Sequence, residues 1–347
     1  MNAPTRIHLA GLLPQEIAAS LAALADADAK PYRARQIFEC IAAAKEIGEM
    51  TSLPLTLREQ LAKTACVFSG TVLQTLTDTD GSAKLQIAFG STPDTTLVET
   101  VLLQDESGRQ TACLSCQAGC AMGCVFCKTG ILGLQRNLEA AEIIEQFLLL
   151  EKKFGTIDNI VFMGMGEPMH NLAAIKKTLD VLGAGNGRNL SMRRITVSTA
   201  GIVSGIRELA AYKLPLKLAV SLTSAVSATR EKIMPITKTN PLPLLKTALI
   251  DYAQVSGRRC TLEAVMLSGI NTSNAEIEAL GSFALDTSCH VNLIPWNPVD
   301  SIALKSATSK EIDNALRLLK TRGVNVTVRT RRGKHIAGAC GQLGSAC

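Results

Sequence analysis

Three cysteines, Cys120, Cys124 and Cys127, fall in one short Gly-punctuated stretch, AGCAMGCVFCKTG. Thiolate is the preferred ligand of iron–sulfur clusters, and three thiolates from one loop can hold three irons of a [4Fe–4S] cube. The fourth iron is then open to the amino and carboxylate groups of S-adenosylmethionine, whose sulfonium is cleaved by an electron from the cluster. The rival reading is a structural zinc site with Cys113 or Cys116 as fourth ligand. Zinc sites more often pair two CxxC-like knuckles across a spacer, and this stretch does not. Eleven cysteines are many for a cytoplasmic chain, and an odd, clustered set points to metal or redox chemistry over a disulfide framework.

The elements that must position these thiols can be read from hydrophobic periodicity. Residues from about Pro14 to Lys63 look helical, with Ile17, Leu21 and Leu24 at helical spacing. From Thr71 the pattern changes to short alternating runs, TVLQTL, KLQIAF and TLVETVLL, the first two separated by Asp80-Gly81, a hairpin signal. After Cys113 the rhythm becomes strand–helix–strand. Strands are expected at 159–163, 194–199, 216–222, 261–267, 290–296 and 324–329. Between them, helices are expected over 138–154 (with Asn137 as cap), 172–182, 202–212, 243–255, 274–285 and 309–322. Such alternation implies α/β architecture with a parallel sheet, either doubly wound or a full or partial barrel, and in both the ligand groups gather at the C-terminal strand ends. Gly164–Glu167, Ser198-Thr199, Ser221 and Asn297 fall at such ends. In Gly164-Met165-Gly166-Glu167-Pro168 the glycines would let backbone approach a ligand while Glu167 accepts from its amino group.

The bulk composition, 47% apolar and 19% charged, suits a globular core. At 3% aromatic residues, extended base-stacking platforms are disfavoured. No basic stretch followed by a long apolar run opens the chain, so a soluble cytoplasmic protein with no membrane partner is expected. The net charge of +6 is uneven: Arg317, Lys320, Arg322, Arg329, Arg331, Arg332 and Lys334 are followed or separated by no acid up to the C-terminus. That segment reads as a solvated tail or as a phosphate-binding surface.

Together, CLSCQAGCAMGCVFCKTG, VFMGMGEPMHN, RRITVSTAGI, VNLIPWNP and VTVRTRRG…ACGQL resemble the RlmN/Cfr-type radical S-adenosylmethionine methyltransferases, which methylate adenine in ribosomal RNA. The resemblance runs from KPYRARQIF to ACGQL. It implies a partial (β/α)6 radical barrel over residues 113–347, preceded by a helical accessory domain over 1–70 and an antiparallel extension over 71–112. Cys120, Cys124 and Cys127 would bind the [4Fe–4S] cluster. Gly166, Glu167, Ser198, Ser221 and Asn297 would hold S-adenosylmethionine, with Leu222 and Thr223 beside it. Cys340 would be the methylated carrier of the one-carbon unit, Cys113 its resolving partner through a Cys113–Cys340 disulfide, and Glu99 the proton acceptor. Arg329, Arg331, Arg332 and Lys334 would hold phosphates of the RNA while the target adenine is extruded. The implied reaction is methylation at adenine carbon 2 in 23S ribosomal RNA, with transfer RNA as a candidate second substrate and flavodoxin or ferredoxin as the kind of reducing partner. The alternatives are methylation at carbon 8, as in the Cfr branch, and a zinc-stabilised RNA-binding protein.

The chain departs from the family pattern in four places. It has Ser221-Leu222-Thr223 where Ser-Leu-His is usual, and Lys334-His335-Ile336-Ala337-Gly338-Ala339 where acids usually precede ACGQL. Cys116 replaces a common Ser, and Cys347 is an added terminal thiol.

Overall fold

The computed structural model describes residues 6–23, 30–90 and 95–344; Leu24 and Cys347 lie outside the described residues. Three helices come first, α1 (Pro14–Ala22), α2 (Pro31–Ala42) and α3 (Leu55–Thr64). Prolines at the starts of α1 and α2 suit a first turn whose N–H groups have no helical partner. Ile17, Leu21, Ile37, Ile41, Leu57 and Leu61 are buried, at the three- and four-residue spacing that puts them on one face.

The strands β1 (Thr71–Thr77), β2 (Ala83–Phe89) and β3 (Thr96–Gln104) pair antiparallel, with Asp80-Gly81 in the tight turn between the first two. The repeat that follows is β4 (Gln110–Cys113), α4 (Ala140–Phe154), β5 (Asn159–Phe162), α5 (Leu172–Gly183), β6 (Ile195–Thr199) and α6 (Val203–Ala211). It continues as β7 (Lys217–Ser221), α7 (Leu242–Ser256), β8 (Thr261–Met266), α8 (Asn274–Asp286), β9 (His290–Pro295), α9 (Ser309–Thr321) and β10 (Val326–Val328). All ten strands form one sheet in sequential order. From β4 to β10 every neighbour is parallel, giving six β/α units closed by an edge strand, the expected α/β partial barrel. β4 is where antiparallel pairing (Val101 opposite Cys113) gives way to parallel pairing (Cys113 opposite Val161), so the extension and the barrel share one sheet.

Parallel strands covered by helices on one side and barrel interior on the other read as continuous apolar runs. Val197, Val220, Leu262, Ala264 and Leu293 accordingly lie fully buried. α8 and α9 start on Ser273 and Thr308, whose hydroxyls accept the N–H groups of Glu276 and Glu311. One sequence expectation fails locally. Asn137 does not cap α4; it ends a two-stranded ribbon, 117–119 with 134–137, and its Oδ1 accepts from Gln117 Nε2 at 2.7 Å. The helix starts two residues later, with Glu142 accepting the Glu139 N–H at 2.8 Å and held by Arg136. A long-range partner outcompetes the local cap, and nothing in the local sequence records it. No helix among the described residues is long and apolar enough to cross a membrane.

Candidate active site

At the C-terminal mouth of the barrel two cavities meet. The deeper one, about 140 Å3, is lined by Cys120, Cys124 and Cys127 and by the ends of β5, β6 and β7. The outer one, about 380 Å3, is lined by Cys113, Met163, Arg331, Arg332 and Leu343. Cys340, Asn297 and Arg329 border both.

The cysteine loop is pinned from several sides. Val125 N–H donates to Ile233 O, and the Trp296 indole N–H, just past β9, donates to Phe126 O at 2.8 Å. Burial pushes the Cys120 thiol up to about 12, and Cys124 and Cys127 are raised by the same cause. Ligation by iron must displace these protons. Three sulfurs on one wall of one cavity are the donor set a cubane needs, and the cavity extends past them to the strand ends where S-adenosylmethionine would be held. Among the described residues, no group of three His, Cys, Asp or Glu side chains is placed to hold a single metal ion. Cys116 is buried, its N–H donates to Met165 O, and its carbonyl accepts from Asn171.

Five of the expected cofactor residues, Gly166, Glu167, Ser198, Ser221 and Asn297, line the deeper cavity. Glu167 is fixed by the N–H groups of Met169 (3.0 Å) and Ala200 (2.7 Å). Burial nevertheless raises its pKa, the backbone donors opposing. Gly166 has φ of +104°, and a Cβ there would sit 2.5 Å from Gln117 Cβ. Gly166→Ala should therefore lose roughly 3 kcal/mol of stability, combining backbone strain and overpacking. Gly155, also at positive φ but with open space around it, is the control: its Ala variant should lose only the backbone strain, about 1–2 kcal/mol. Urea midpoints of the two variants check this, and equal losses would remove the crowding argument.

Leu222 and Thr223 do not line either cavity. Both are buried, and their N–H groups donate to Glu263 O at 3.0 and 3.3 Å. Thr223 has φ of +60°, and its hydroxyl has no hydrogen-bond partner.

Arg329 lies at the junction of the two cavities. Its N–H still donates to Leu293 O at 2.8 Å, so residue 329 stays in register with β9 and its side chain enters the barrel. There the guanidinium lies 4.0 Å from Glu263 and feels Cys340 and Cys113 electrostatically. The side chain is partly exposed and borders both cavities. Arg331, past the last sheet hydrogen bond, is exposed and donates to Trp296 O and Ser306 Oγ. Arg332 donates to Gln104 O, and Lys334 is exposed.

The segment carrying Cys340 is strapped over the mouth. Asn297 Nδ2 donates to Cys340 O (3.1 Å), Lys128 N to Gly341 O (2.9 Å) and Thr129 Oγ1 to Leu343 O (2.7 Å). The β1–β2 turn holds the preceding residues, Asp78 taking both the N–H and Nδ1 of His335, and Asp80 the N–H of Gly333. His335, which stands where the family carries acids, thus finds its acid on the hairpin. Glu99 on β3 lies beneath this segment, accepting from Gly344 N (2.7 Å) and paired with Lys84 (3.0 Å), both side chains nearly inaccessible. Cys113, at the end of β4, packs with Val101, Met165 and Leu343 and opens on the outer cavity. Burial pushes its thiol up to about 12.

Sequence reasoning missed Glu263 and Lys84. Each is a charge in the middle of an apolar strand run, TLEAVM and AKLQIAF, and that anomaly was the available signal. Glu263 accepts from Asn292 at 2.8 Å and lines the deeper cavity; burial raises its pKa against the pull of Arg329.

Residues 114–279 match the family described as the Radical SAM superfamily. A probable dual-specificity RNA methyltransferase RlmN of Treponema pallidum (strain Nichols) is 46% identical over 338 residues, covering 97% of each chain. A probable RlmN of Moorella thermoacetica is 43% identical over 350 residues, covering 98% of this chain and 97% of its own. The crystal structure of a radical SAM methyltransferase from Sphaerobacter thermophilus superimposes with a TM-score of 0.92 at 38% identity, covering 97% of this chain and 98% of that one. With a barrel mouth lined by three cysteines of one loop and relatives of this closeness along nearly the whole chain, the protein belongs to the RlmN family of radical SAM RNA methyltransferases, whose cofactors are a [4Fe–4S] cluster and S-adenosylmethionine.

Proposed function

We propose that the protein methylates carbon 2 of an adenine in large-subunit ribosomal RNA and in transfer RNA, with Cys340 carrying the one-carbon unit. The observation that supports this most is the position of Cys340 between the two cavities, with Cys113 on the outer one and the three loop cysteines on the deeper one.

Carbon 2 of adenine is not nucleophilic and cannot simply displace a methyl group from a sulfonium. Cys340 thiolate takes the methyl group first, as an activated nucleophile, releasing S-adenosylhomocysteine. Held by Cys120, Cys124 and Cys127, a bound cluster would supply the electron that splits a second S-adenosylmethionine, whose deoxyadenosyl fragment would carry away one hydrogen of the S-methyl group and leave a carbon radical. Asn297 holds the Cys340 backbone at the junction of the two cavities, and the base enters from the outer one. The carbon adds to the ring and joins the protein to RNA, and the ring radical so formed must give up one electron, for which the bound cluster would be the acceptor. Glu99 takes the ring proton, which requires the Leu343–Gly344 stretch to lift from it as RNA enters. Cys113 thiolate then attacks Cys340 sulfur, the sulfur–carbon bond breaks with its electron pair leaving on carbon, that carbon takes a proton to become the methyl group, and a Cys113–Cys340 disulfide is left for an external reductant. Arg331, Arg332 and Lys334, on the rim, hold phosphates and fix register without choosing the base. A flavodoxin or ferredoxin supplies electrons.

The test is nucleoside mass spectrometry of ribosomal and transfer RNA after incubation with reduced, cluster-loaded protein. The expected product is 2-methyladenosine in both. Appearance of 8-methyladenosine instead would overturn the position, and unmodified transfer RNA would remove the second substrate.

A further inference from the structure

Arg230 has no exposed surface at all. It sits on the short helix Ser227–Ile233 that follows β7 and is tied to the cysteine loop by the Val125 N–H bond to Ile233 O. Nε donates to Leu222 O (3.0 Å), Nη1 to Thr237 Oγ1 (2.6 Å), and Nη2 to Ala200 O (2.6 Å) and Ser221 O (3.1 Å). Every one of these acceptors is neutral. Among the described residues the ionisable group it feels is a thiol, Cys124.

Taking a guanidinium out of water is expensive, and hydrogen bonds to neutral carbonyls return only part of the cost. If the task were only to tie down the ends of β6 and β7, a neutral amide donor would do it at less expense. The fold also makes room for the charge: Gly201 has φ of +103°, and a Cβ there would lie 3.1 Å from Nη2. A buried cation kept without a carboxylate implies that its counter-charge arrives with something else. The nearby wall holds Cys120, Cys124 and Cys127, and Ala200 and Ser221, whose carbonyls Arg230 grips, line the same cavity.

An oxidised cubane core carries two positive charges and the reduced core one. Three thiolate ligands therefore leave the centre net negative in both states, and more so after reduction. We propose that Arg230 is the built-in counter-charge of the iron–sulfur site, favouring the electron-loaded cluster over the oxidised one from behind the cavity wall. It is a positioning and tuning residue and does not touch substrate. The inference rests on the family's cofactor, not on the proposed RNA position, and its test contains no RNA.

The experiment is a dithionite titration of anaerobically reconstituted wild-type, Arg230→Gln and Arg230→Lys proteins, followed by electron paramagnetic resonance, with iron per chain measured in parallel. Dithionite supplies the single electron taken up by the cluster. Arg230→Gln should make reduction about tenfold less favourable, a midpoint about 59 mV lower for a one-electron couple. Arg230→Lys, which keeps the charge but loses the fork, should stay close to wild type. An unchanged midpoint in Arg230→Gln, or equal shifts in both variants, overturns the proposal in favour of a purely mechanical strut. Should Arg230→Gln fail to retain iron, iron content decides: retention by Arg230→Lys alone supports the counter-charge, and equal loss from both refutes it.

Discussion

Cys113→Ala protein, incubated with substrate RNA, S-adenosylmethionine and reductant, should accumulate as a covalent protein–RNA adduct, with turnover reduced by at least about three orders of magnitude. Cys113 opens on the outer cavity that Cys340 also lines, so removing its sulfur leaves the step that frees the carbon from Cys340 without a nucleophile. The earlier steps are untouched, because the cluster cysteines and Asn297 do not depend on Cys113. Cys340→Ala should behave differently: no adduct, no methyl group on the protein, and an equally deep loss of product. Denaturing gels and intact-protein mass spectrometry distinguish the two. Normal turnover by Cys113→Ala would sink the resolving role, and an adduct formed by Cys340→Ala would sink the carrier role.

The second large effect concerns Glu99. Glu99→Leu removes one half of a buried ion pair and leaves the Lys84 ammonium without its counter-charge, a loss of about 3–5 kcal/mol of stability. On its own that variant cannot separate folding from chemistry. The double variant Lys84→Met/Glu99→Leu replaces the pair by apolar groups, and such replacements are often close to neutral. It should recover most of the stability in a double-mutant cycle. Its activity should not recover, since no base is present for the ring proton, and methylated Cys340 and the RNA adduct should build up. Restored turnover in the double variant would show that Glu99 only balances Lys84.

The charge pattern near the C-terminus shows where one-dimensional reading fails. Arg329, Arg331, Arg332 and Lys334 are equivalent members of a basic run in sequence. In the fold, Arg329 is still bonded to the sheet through Leu293 and faces Glu263 inside the barrel, whereas Lys334 is exposed beyond it. The same holds for Leu222 and Thr223, adjacent to cavity-lining Ser221 but turned away once their N–H groups bond Glu263 O.

The order of strands and helices was legible because parallel strands buried on both faces write themselves as short apolar runs, and helices as three-to-four periodicity. All six expected strands after Cys113 lie at their positions within a residue or two. That Cys120, Cys124 and Cys127 share one cavity was equally legible, because residues of one short loop are brought together by local spacing alone. From the residues themselves, Cys340 could only be marked as ill suited to a core; its partnership with Cys113 was implied by family resemblance. What brings Cys340 to the cluster loop is a set of bonds across more than two hundred residues, from Lys128 and Thr129 to Gly341 and Leu343. Such contacts are decided by how the barrel closes. Local spacing fixes the three-cysteine loop, while tertiary closure decides that Cys340 borders the same cavity.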